Sequence, residues 1–426
     1  MGVERAGFEE VPVSFFDDPH PDYRRWRERA GGAHPVRILG EAPLEGWVVT
    51  GHADCRAALT DPGLSKNAAT EVFDRRDGSE EGPGPGRALT AHMLNSDPPA
   101  HTRLRRLVRQ AFTARRVAAL RPVIEGHVGR LLDELEGPVV DLVRDFAVPL
   151  PLAVVFDLLG ASEGAGEILK AWAATLSGEE GDGEVSVDTA EALVGHIRAL
   201  IDHKRAHPGD DLLTALIAAR DEGEGEGEGG GDDGGRLSEE EITSMGFLLV
   251  AAGHQTTANL ISNGVHVLLT HPRERAALRA DPAARTGPFI EEVLRHESPF
   301  SIATMRYAVQ PVTIGGTTVP AGEFVQVSML SANRDPAVFA DPDRFDSSRP
   351  TAGHLAFGHG VHHCLGAPLA RLQAEIAFGA LLSRYPEMRP AVPGARPLWW
   401  RNPRHRGLRT LPVLLRPVRP GGPGAR

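Results

Sequence analysis

Residues 357–371 read FGHGVHHCLGAPLAR, and a single cysteine, Cys364, lies between a glycine-rich loop and an apolar run. The apolar run predicts a helix that begins directly after the cysteine. Glycines such as Gly358 permit a positive φ and let the backbone approach a flat ligand closely. The first turn of a helix stabilises a thiolate through its N–H groups and its dipole. The segment therefore predicts a thiolate that can bind a soft metal ion.

Two other interpretations of Cys364 stay open from the residues alone. A lone cysteine is commonly a buried and inert side chain. The cysteine could also belong to a zinc site with nearby histidines, but their spacing fits none of the usual zinc patterns. Those histidines are His354, His359, His362 and His363.

Length and composition are those of a globular protein that can bury a cofactor, with 426 residues, 41% of them hydrophobic. The formal net charge of -11 argues against general nucleic-acid binding. The two cysteines, Cys55 and Cys364, are too few for a disulfide scaffold and are typical of a reducing cytoplasm. No signal peptide and no apolar stretch of about 18 residues is evident. We therefore expect a cytoplasmic protein without a membrane span.

The hydrophobic pattern predicts a mainly α chain with a small β-region, folded as a single domain over residues 1–426. Residues 66–90 are polar and rich in glycine and proline, which predicts a mobile loop. Residues 222–235 read EGEGEGEGGGDDGG and cannot join a core, which predicts a low-complexity loop between two helices. Alternation with turn signals after Ser298 predicts the β-region.

A long helix is predicted to begin at Ser238 and Glu241, which form a capping-box pattern, and to run past Asn263. In its middle, residues 252–257 read AGHQTT. A glycine in a helix interior costs about 1 kcal/mol relative to alanine. Gly253 therefore indicates either a close packing contact or, with the threonines that follow, a local opening of the helix beside a ligand.

These motifs resemble those of the cytochrome P450 superfamily. Residues 357–371 match its haem-binding signature at every fixed position, and the other motifs follow in the family's order. The resemblance implies the cytochrome P450 fold, with a long central helix over one haem b, and monooxygenation with O2. It also implies that Cys364 is the axial ligand of the iron, and that Phe357, Gly358 and Gly366 contact the cofactor.

Glu292 and Arg295 are three residues apart and share one face of a predicted helix, so they can form an ion pair, which contributes little if exposed. The resemblance implies that the pair is buried, that Arg344 of a PDRF segment joins it, and that it holds the cysteine loop. Four further residues would bind the two haem propionates, which need cationic partners. They are His101, Arg105, Arg306 and His362.

By resemblance, Gly253 and Thr256 belong to the family's oxygen-activation motif. Here the sequence departs from the pattern, because Gln255 occupies the position of the usual acid. An amide cannot titrate, so protons would pass through ordered water, the Thr256 hydroxyl or a hydroxyl of the substrate.

The resemblance places the 66–90 loop beside the substrate and implies a pocket wall of small or apolar residues. Such a wall predicts a sizeable, mostly apolar substrate, for which macrolides and other polyketides, peptides and terpenes are the candidates. The wall residues would be Leu94, Leu248, Ala251, Ala252, Ile302 and Thr304.

Electrons must come from separate proteins, because the sequence has no glycine-rich dinucleotide turn after a strand. The resemblance implies a ferredoxin and a ferredoxin reductase that draws on NAD(P)H. We expect docking near the cysteine loop, on a local basic patch. The arginines of this patch would be Arg109, Arg115, Arg116 and Arg371.

Two other functions stay open. One is a peroxide-using haem-thiolate enzyme, which Gln255 allows and Thr256 argues against. The other is a haem protein that binds the cofactor without turning over a substrate, as a scaffold or sensor would. The intact Thr256 and the propionate set argue against that function, since a scaffold does not need an oxygen groove.

We expect Gln255→Glu to raise the share of consumed NAD(P)H that appears as product, because glutamate can carry a proton where glutamine cannot. A side chain that acts as general acid or base contributes about 10²–10⁴-fold, so even a small part of that gain can be measured as product formed per NAD(P)H oxidised. An unchanged ratio would show that Gln255 does not limit proton delivery.

Overall fold

The computed structural model describes residues 7–30, 32–38, 44–76, 89–161, 187–221 and 237–415. The chain groups into two compact units whose segments alternate along the sequence. The first unit comprises Met1–Leu64, Arg121–Pro151 and Thr256–Arg426, and the second Ser65–Leu120 and Leu152–Gln255. The single domain over residues 1–426 stays a prediction.

Helices make up most of the described chain, and none of them is both long and apolar enough to cross a bilayer. In chain order they are α1 (His20–Ala30), α2 (His52–Thr60), α3 (Lys66–Arg76), α4 (Ala100–Ala111), α5 (Ala114–Ala119), α6 (Arg121–Asp133), α7 (Pro149–Leu159), α8 (Val187–Ala206), α9 (Leu212–Asp221), α10 (Glu239–Gly253), α11 (Gln255–Thr270), α12 (Pro272–Ala280), α13 (Pro282–His296), α14 (Met329–Ala332) and α15 (Ala367–Arg384).

The strands are short, and the largest sheet has the order β1-β2-β3-β9-β6-β4. A three-stranded sheet β10-β11-β5 and a hairpin β7-β8 complete the described β-structure. The predicted class, mainly α with a small β-region, is confirmed. The strands are β1 (Glu9–Val11), β2 (Ala33–Ile38), β3 (Leu44–Val49), β4 (Leu64–Ser65), β5 (Val139–Asp141), β6 (Arg306–Ala308), β7 (Val312–Ile314), β8 (Thr317–Val319), β9 (Phe324–Val327), β10 (Arg389–Pro390) and β11 (Pro412–Leu414).

One predicted loop is wrong over its first half. Residues 66–90 were expected to be a loop, but Lys66–Arg76 form α3. Asp97 gives this helix its start, because its carboxylate accepts hydrogen bonds from the backbone N–H groups of Lys66 and Asn67 at 3.0 and 3.2 Å. The rest of the predicted loop includes residues 77–88, which lie outside the described residues, as does the 222–235 loop.

The helix predicted to begin at Ser238 does so, with both hydrogen bonds of the capping box formed between Ser238 and Glu241. It is not continuous, however. α10 ends at Gly253, His254 leaves the helical pattern, and α11 begins at Gln255. The break falls within the AGHQTT segment, where a local opening was one of the two sequence-based expectations.

The core of the first unit packs around the six-stranded sheet. One cluster combines Phe15, Tyr23 and Trp26 of the N-terminal segment with Ile302 and Leu330. A second cluster joins the sheet to α2, whose Cys55 is fully buried. Burial raises the pKa of the Cys55 thiol well above its usual value, so this cysteine is an inert core residue. Cys364 is exposed by contrast.

The second unit contains a buried ion pair. Lys204 of α8 and Asp211 before α9 are both at least 90% buried, and their charged atoms lie 2.9 Å apart. Asp211 also accepts a hydrogen bond from the backbone N–H of Thr214 at 2.7 Å, which starts α9. Gly160 lies against the pair with φ of +61°, and a Cβ there would come within 2.2 Å of Lys204 Nζ. Only glycine fits this position.

We expect Gly160→Ala to lower the free energy of unfolding by about 1–3 kcal/mol, because alanine is strained at positive φ and would push the buried ion pair apart. Gly195→Ala is the matched control, since a Cβ at this position in α8 meets no atom within 4 Å. Alanine there should raise the stability by about 0.5–1 kcal/mol. Urea titration would measure the free energy of unfolding of both variants. Equal changes in the two variants would contradict the conclusion that only glycine fits at position 160.

Candidate active site

The cysteine loop, residues 357–366, is held in one conformation by its own backbone. The N–H of Cys364 donates to the carbonyl of Phe357 at 2.8 Å, which closes the loop. A 3₁₀ turn spans Gly360–His362 inside it, and α15 begins at Ala367 with Gly366 as its N-cap residue. Cys364 therefore lies immediately before a helix N-terminus, as predicted, and its side chain is exposed.

The glycines of this loop leave its backbone bare beside the sulfur. Gly358 adopts φ of +73°, which favours glycine, and a Cβ at Gly366 would lie in ordinary contact with Cys364 Sγ at 3.9 Å. Gly360 serves packing instead, because a Cβ there would come within 2.6 Å of Thr60 at the end of α2. A thiolate donor, a bare backbone around it and a helix N-terminus together suit the iron of haem b.

The Glu292–Arg295 pair of α13 is completely buried, with both side chains 0% exposed. Arg295 donates to the two carboxylate oxygens of Glu292 at 2.6 and 2.8 Å. It also donates to the carbonyl oxygens of Asn333 and Pro342, each at 2.9 Å. Every part of the guanidinium is thus engaged, which a buried charge requires.

The third member of the pair's network is Arg349, so the prediction of Arg344 is wrong. Arg349 Nε lies 3.0 Å from the Glu292 carboxylate, and its side chain is 11% exposed. The Arg344 side chain is 67% exposed and pairs with Asp346 at 2.8 Å. Arg344 contributes only its backbone carbonyl, 3.4 Å from Arg295. The physical reason is the path of the chain, which turns back after Arg344 and brings Arg349 to the Glu292 carboxylate.

Hydrogen bonds connect the buried pair to the cysteine loop. The carbonyl of Asn333 accepts from Arg295, and its side-chain oxygen accepts from the N–H of Leu355 at 2.5 Å. The carbonyl of Leu355 in turn accepts from the N–H of Gly358 at 2.8 Å. The pair can therefore hold the loop through one asparagine, which supports the structural role expected from sequence.

Gly253, the last residue of α10, packs closely against α7 just before the break between α10 and α11. A Cβ at Gly253 would lie 2.9 Å from Val155 of α7, so Gly253 permits close packing as well as marking the break. His254 is buried, and burial lowers its pKa to about 4, although a hydrogen bond to the Val250 backbone acts in the opposite direction. Gln255 and Thr256 follow and are both half-buried.

The four residues expected at the haem propionates divide between the units. His101 and Arg105 lie on α4 in the second unit, and Arg306 and His362 belong to the first. Burial, together with the charges of Arg105 and Lys66, lowers the pKa of His101 to about 4. At neutral pH its imidazole is therefore uncharged and can offer an N–H donor. Arg306 is buried and donates to the carbonyl of Thr304 at 3.0 Å.

The six expected pocket residues differ in burial. Ile302 is 3% exposed and packs in the core cluster with the aromatic side chains of the N-terminal segment, and its place in the pocket wall stays a prediction. The other five range from buried to exposed: Leu248 is buried, Leu94, Ala251 and Thr304 are half-buried, and Ala252 is exposed.

Two of the four arginines expected in the basic patch form ion pairs with neighbouring carboxylates. Arg371 donates to both oxygens of Glu291 at 2.6 and 2.9 Å, and Arg116 pairs with Asp210 at 3.2 Å. Arg109 and Arg115 are exposed. Arg371 is thus paired within the protein although its side chain is 39% exposed, and the docking surface stays a prediction.

The zinc interpretation finds no support, since no three His, Cys, Asp or Glu side chains of the described residues could together hold a metal ion. His354 instead contacts Glu291 at 3.0 Å. Sequence reasoning missed Glu291 and Arg349, and it named His354 only as a possible zinc ligand. Glu291 directly precedes the predicted pair, and this doubled carboxylate was the available signal.

Comparison with known proteins identifies the family. The family model of cytochrome P450 matches residues 286–390. The chain is 44% identical to cytochrome P450 107B1 of Saccharopolyspora erythraea, over 94% of this chain and 96% of the relative. It is 40% identical to 6-deoxyerythronolide B hydroxylase of the same organism, over 94% and 97%. The solved structure of the tirandamycin C-bound P450 monooxygenase TamI matches with a TM-score of 0.86 and 42% identity, over 96% of this chain and all of that one.

The chain therefore belongs to the cytochrome P450 family and has its fold. It is a haem b monooxygenase, an oxidoreductase that places one oxygen atom of O2 in its substrate. The expectations of family, fold, enzyme class and cofactor are confirmed.

We expect Arg349→Gln to lower the free energy of unfolding by about 1–3 kcal/mol, because it leaves a fully buried carboxylate with one cation fewer. Arg344→Gln is the control, and its exposed side chain predicts a change within about 0.5 kcal/mol. Urea unfolding would compare them. A larger loss for Arg344→Gln would restore the assignment made from sequence.

Proposed function

We propose that this monooxygenase oxidises a mostly apolar natural product of the macrolide or polyketide class, with electrons from a ferredoxin and its NAD(P)H-dependent reductase. The observation that carries the catalytic assignment is Cys364, exposed on a glycine-rich loop at a helix N-terminus and tied to the buried Glu292–Arg295 pair.

Two features support the substrate class. Relatives at about 40% identity are named for 6-deoxyerythronolide B and tirandamycin C. The candidate wall residues are small or apolar apart from one threonine: Leu94, Leu248, Ala251, Ala252, Ile302 and Thr304. A wall without a charged side chain holds its ligand by burying apolar surface and by a few hydrogen bonds.

Cys364 would hold the haem iron, with Phe357, Gly358 and Gly366 against the cofactor. When bound, haem b supplies the reduction and activation of O2. The task of the protein at this position is to keep the sulfur deprotonated and oriented. The helix N-terminus favours the thiolate, and the closed hydrogen bond from Cys364 to Phe357 fixes its backbone.

Proton supply would depend on the segment around Gly253, Gln255 and Thr256. The Thr256 hydroxyl can both donate and accept a hydrogen bond, whereas the Gln255 amide cannot release a proton. A relay through this chain therefore needs water or a substrate hydroxyl beside Thr256. This requirement would make coupling sensitive to which substrate fills the pocket.

The propionate partners would act in two ways. Arg105 and Arg306 supply fixed positive charge, while His101 and His362 can donate N–H groups. Burial keeps the His101 imidazole neutral at pH 7, so His101 would contribute a hydrogen bond. A nearby carboxylate would favour the charged imidazolium and so strengthen that hydrogen bond.

The choice of a ferredoxin rests on the absence of any dinucleotide motif in the sequence and on the family's use of separate redox partners. A cytoplasmic location fits a chain of 426 residues with two cysteines. Stopped-flow reduction with a bacterial ferredoxin, at low and high salt, would test the partner. Activity with peroxide and none with any ferredoxin would favour the peroxide-using alternative.

We expect the reduced protein to show a strongly red-shifted Soret band with carbon monoxide, and Cys364→Ala to lose that band completely because the axial sulfur is gone. Cys55→Ala is the matched control and should keep the band, since the Cys55 thiol is buried against Val49 and Ser328. Folded protein that takes up no haem would contradict the function.

Substrate class would be tested by spin-state titration of the oxidised protein with macrolide aglycones, acyclic polyketides, cyclic peptides and terpenes. A shift with the first two sets and none with the others would support the proposal. Selective shifts with peptides or terpenes would overturn the polyketide assignment while leaving the monooxygenase class intact.

A further inference from the structure

A second ion-paired cluster lies beside the cysteine loop, outside the Glu292–Arg295 pair. Glu291 accepts hydrogen bonds from Arg371 at 2.6 and 2.9 Å and contacts His354 at 3.0 Å. The Arg371 guanidinium lies over the ring of Phe357, 4.5 Å from its centroid. We call these four residues, Glu291, His354, Phe357 and Arg371, the Phe357 clamp.

The clamp closes a symmetrical stretch of chain around the cysteine. Phe357 and Arg371 stand seven residues before and after Cys364. The carbonyl of Phe357 accepts the hydrogen bond from the Cys364 N–H at 2.8 Å. Whatever fixes the position of Phe357 therefore also fixes the backbone that orients the sulfur.

The Arg371–Glu291 interaction in the clamp is stronger than an ordinary surface ion pair. Two parallel N–H···O bonds between arginine and carboxylate are the most specific form of such a pair, and stacking on an aromatic ring adds to it. Burial alone would raise the pKa of Glu291, but the hydrogen bonds from Arg371 and His354 outweigh it and lower the pKa to about 2. The carboxylate is thus charged throughout the range in which an enzyme works.

The cluster is also close to solvent. A cavity of about 250 Å³ is lined by all four clamp residues together with His363, the neighbour of Cys364. Arg371 is 39% and Glu291 28% exposed at their side chains. Loosening the clamp would let solvent approach the loop through this cavity, and hydrogen bonds from water to a thiolate weaken its donation to a metal.

We propose that Glu291, acting through Arg371 and Phe357, is a positioning residue for the axial thiolate, and that Arg371 serves this role instead of docking a redox partner. The inference rests on the proposed function of Cys364. Loss of the clamp would leave the fold in place but make the iron–sulfur bond easier to lose and change the reduction potential of the haem.

The test uses purified holoenzyme without any redox partner. Glu291→Gln, Arg371→Gln and the double variant would be followed by the carbon monoxide spectrum over time and by redox titration. We expect each single variant to lose the red-shifted band at least several-fold faster than the wild type and to shift the midpoint potential. The double variant should lose the band no faster than the more strongly affected single variant, since both changes break the same interaction.

Two further variants act as controls. Arg121→Gln removes an exposed ion pair, at 2.8 Å, to Glu375, which lies on α15 as Arg371 does. This change should leave both readouts unchanged. Arg371→Lys keeps the charge but loses the bidentate geometry and the stacking, so it should not restore the wild-type spectrum. Full rescue by lysine would overturn the proposal, because charge alone would then suffice.

The docking alternative predicts the opposite pattern. Arg371→Gln would raise the KM for ferredoxin, Glu291→Gln would lower it by freeing a positive charge, and the spectra without a partner would stay the same. That result overturns the clamp. A wild-type protein that lacks the red-shifted band would instead overturn the proposed function, so the two failures can be told apart.

Discussion

The buried carboxylate of Glu292 is the constraint on which the structure around the cysteine depends. A fully buried charge is very unfavourable unless ion pairs and hydrogen bonds replace its hydration. Here two guanidinium groups and the backbone N–H of Asp346, at 2.9 Å, take that role. To supply them, α13 and the loop after Asp341 must meet in one arrangement. The charge therefore contributes specificity of the fold more than stability, and it fixes Asn333 and the cysteine loop with it.

The sequence predicts best where one short segment carries both the chemistry and the backbone conformation. The loop before α15 is such a case, because its glycines, its cysteine and the following helix are contiguous, and their arrangement can be read locally. The capping box of Ser238 and Glu241 is another, and both of its hydrogen bonds are present. The class of fold follows from the same local periodicity.

Prediction fails where the answer depends on contacts between distant segments. Spacing on a helix pairs Glu292 with Arg295, but it cannot say which arginine reaches the pair across a loop, and Arg349 does so instead of Arg344. The aromatic core around Ile302 is likewise assembled from the distant N-terminal segment, which no local pattern of the sequence reveals. Lys66–Arg76 is polar enough for a loop, but Asp97, about thirty residues later, caps it as a helix. Arg371 pairs with Glu291, eighty residues away in the sequence, and no local pattern reveals that pair either.

The closed geometry of the cysteine loop restricts its length more than its composition. The stretch from Phe357 to Arg371 is joined across its ends by the stacking of the guanidinium on the ring, and near its middle by the Cys364–Phe357 hydrogen bond. A substitution inside the stretch changes one contact, whereas inserting or deleting a residue would shift the phase of α15 by about 100° and break the closure. Over evolutionary time the segment should therefore keep its length at least as strictly as the fixed residues of its signature, and any engineered graft should exchange it whole, between its two anchors.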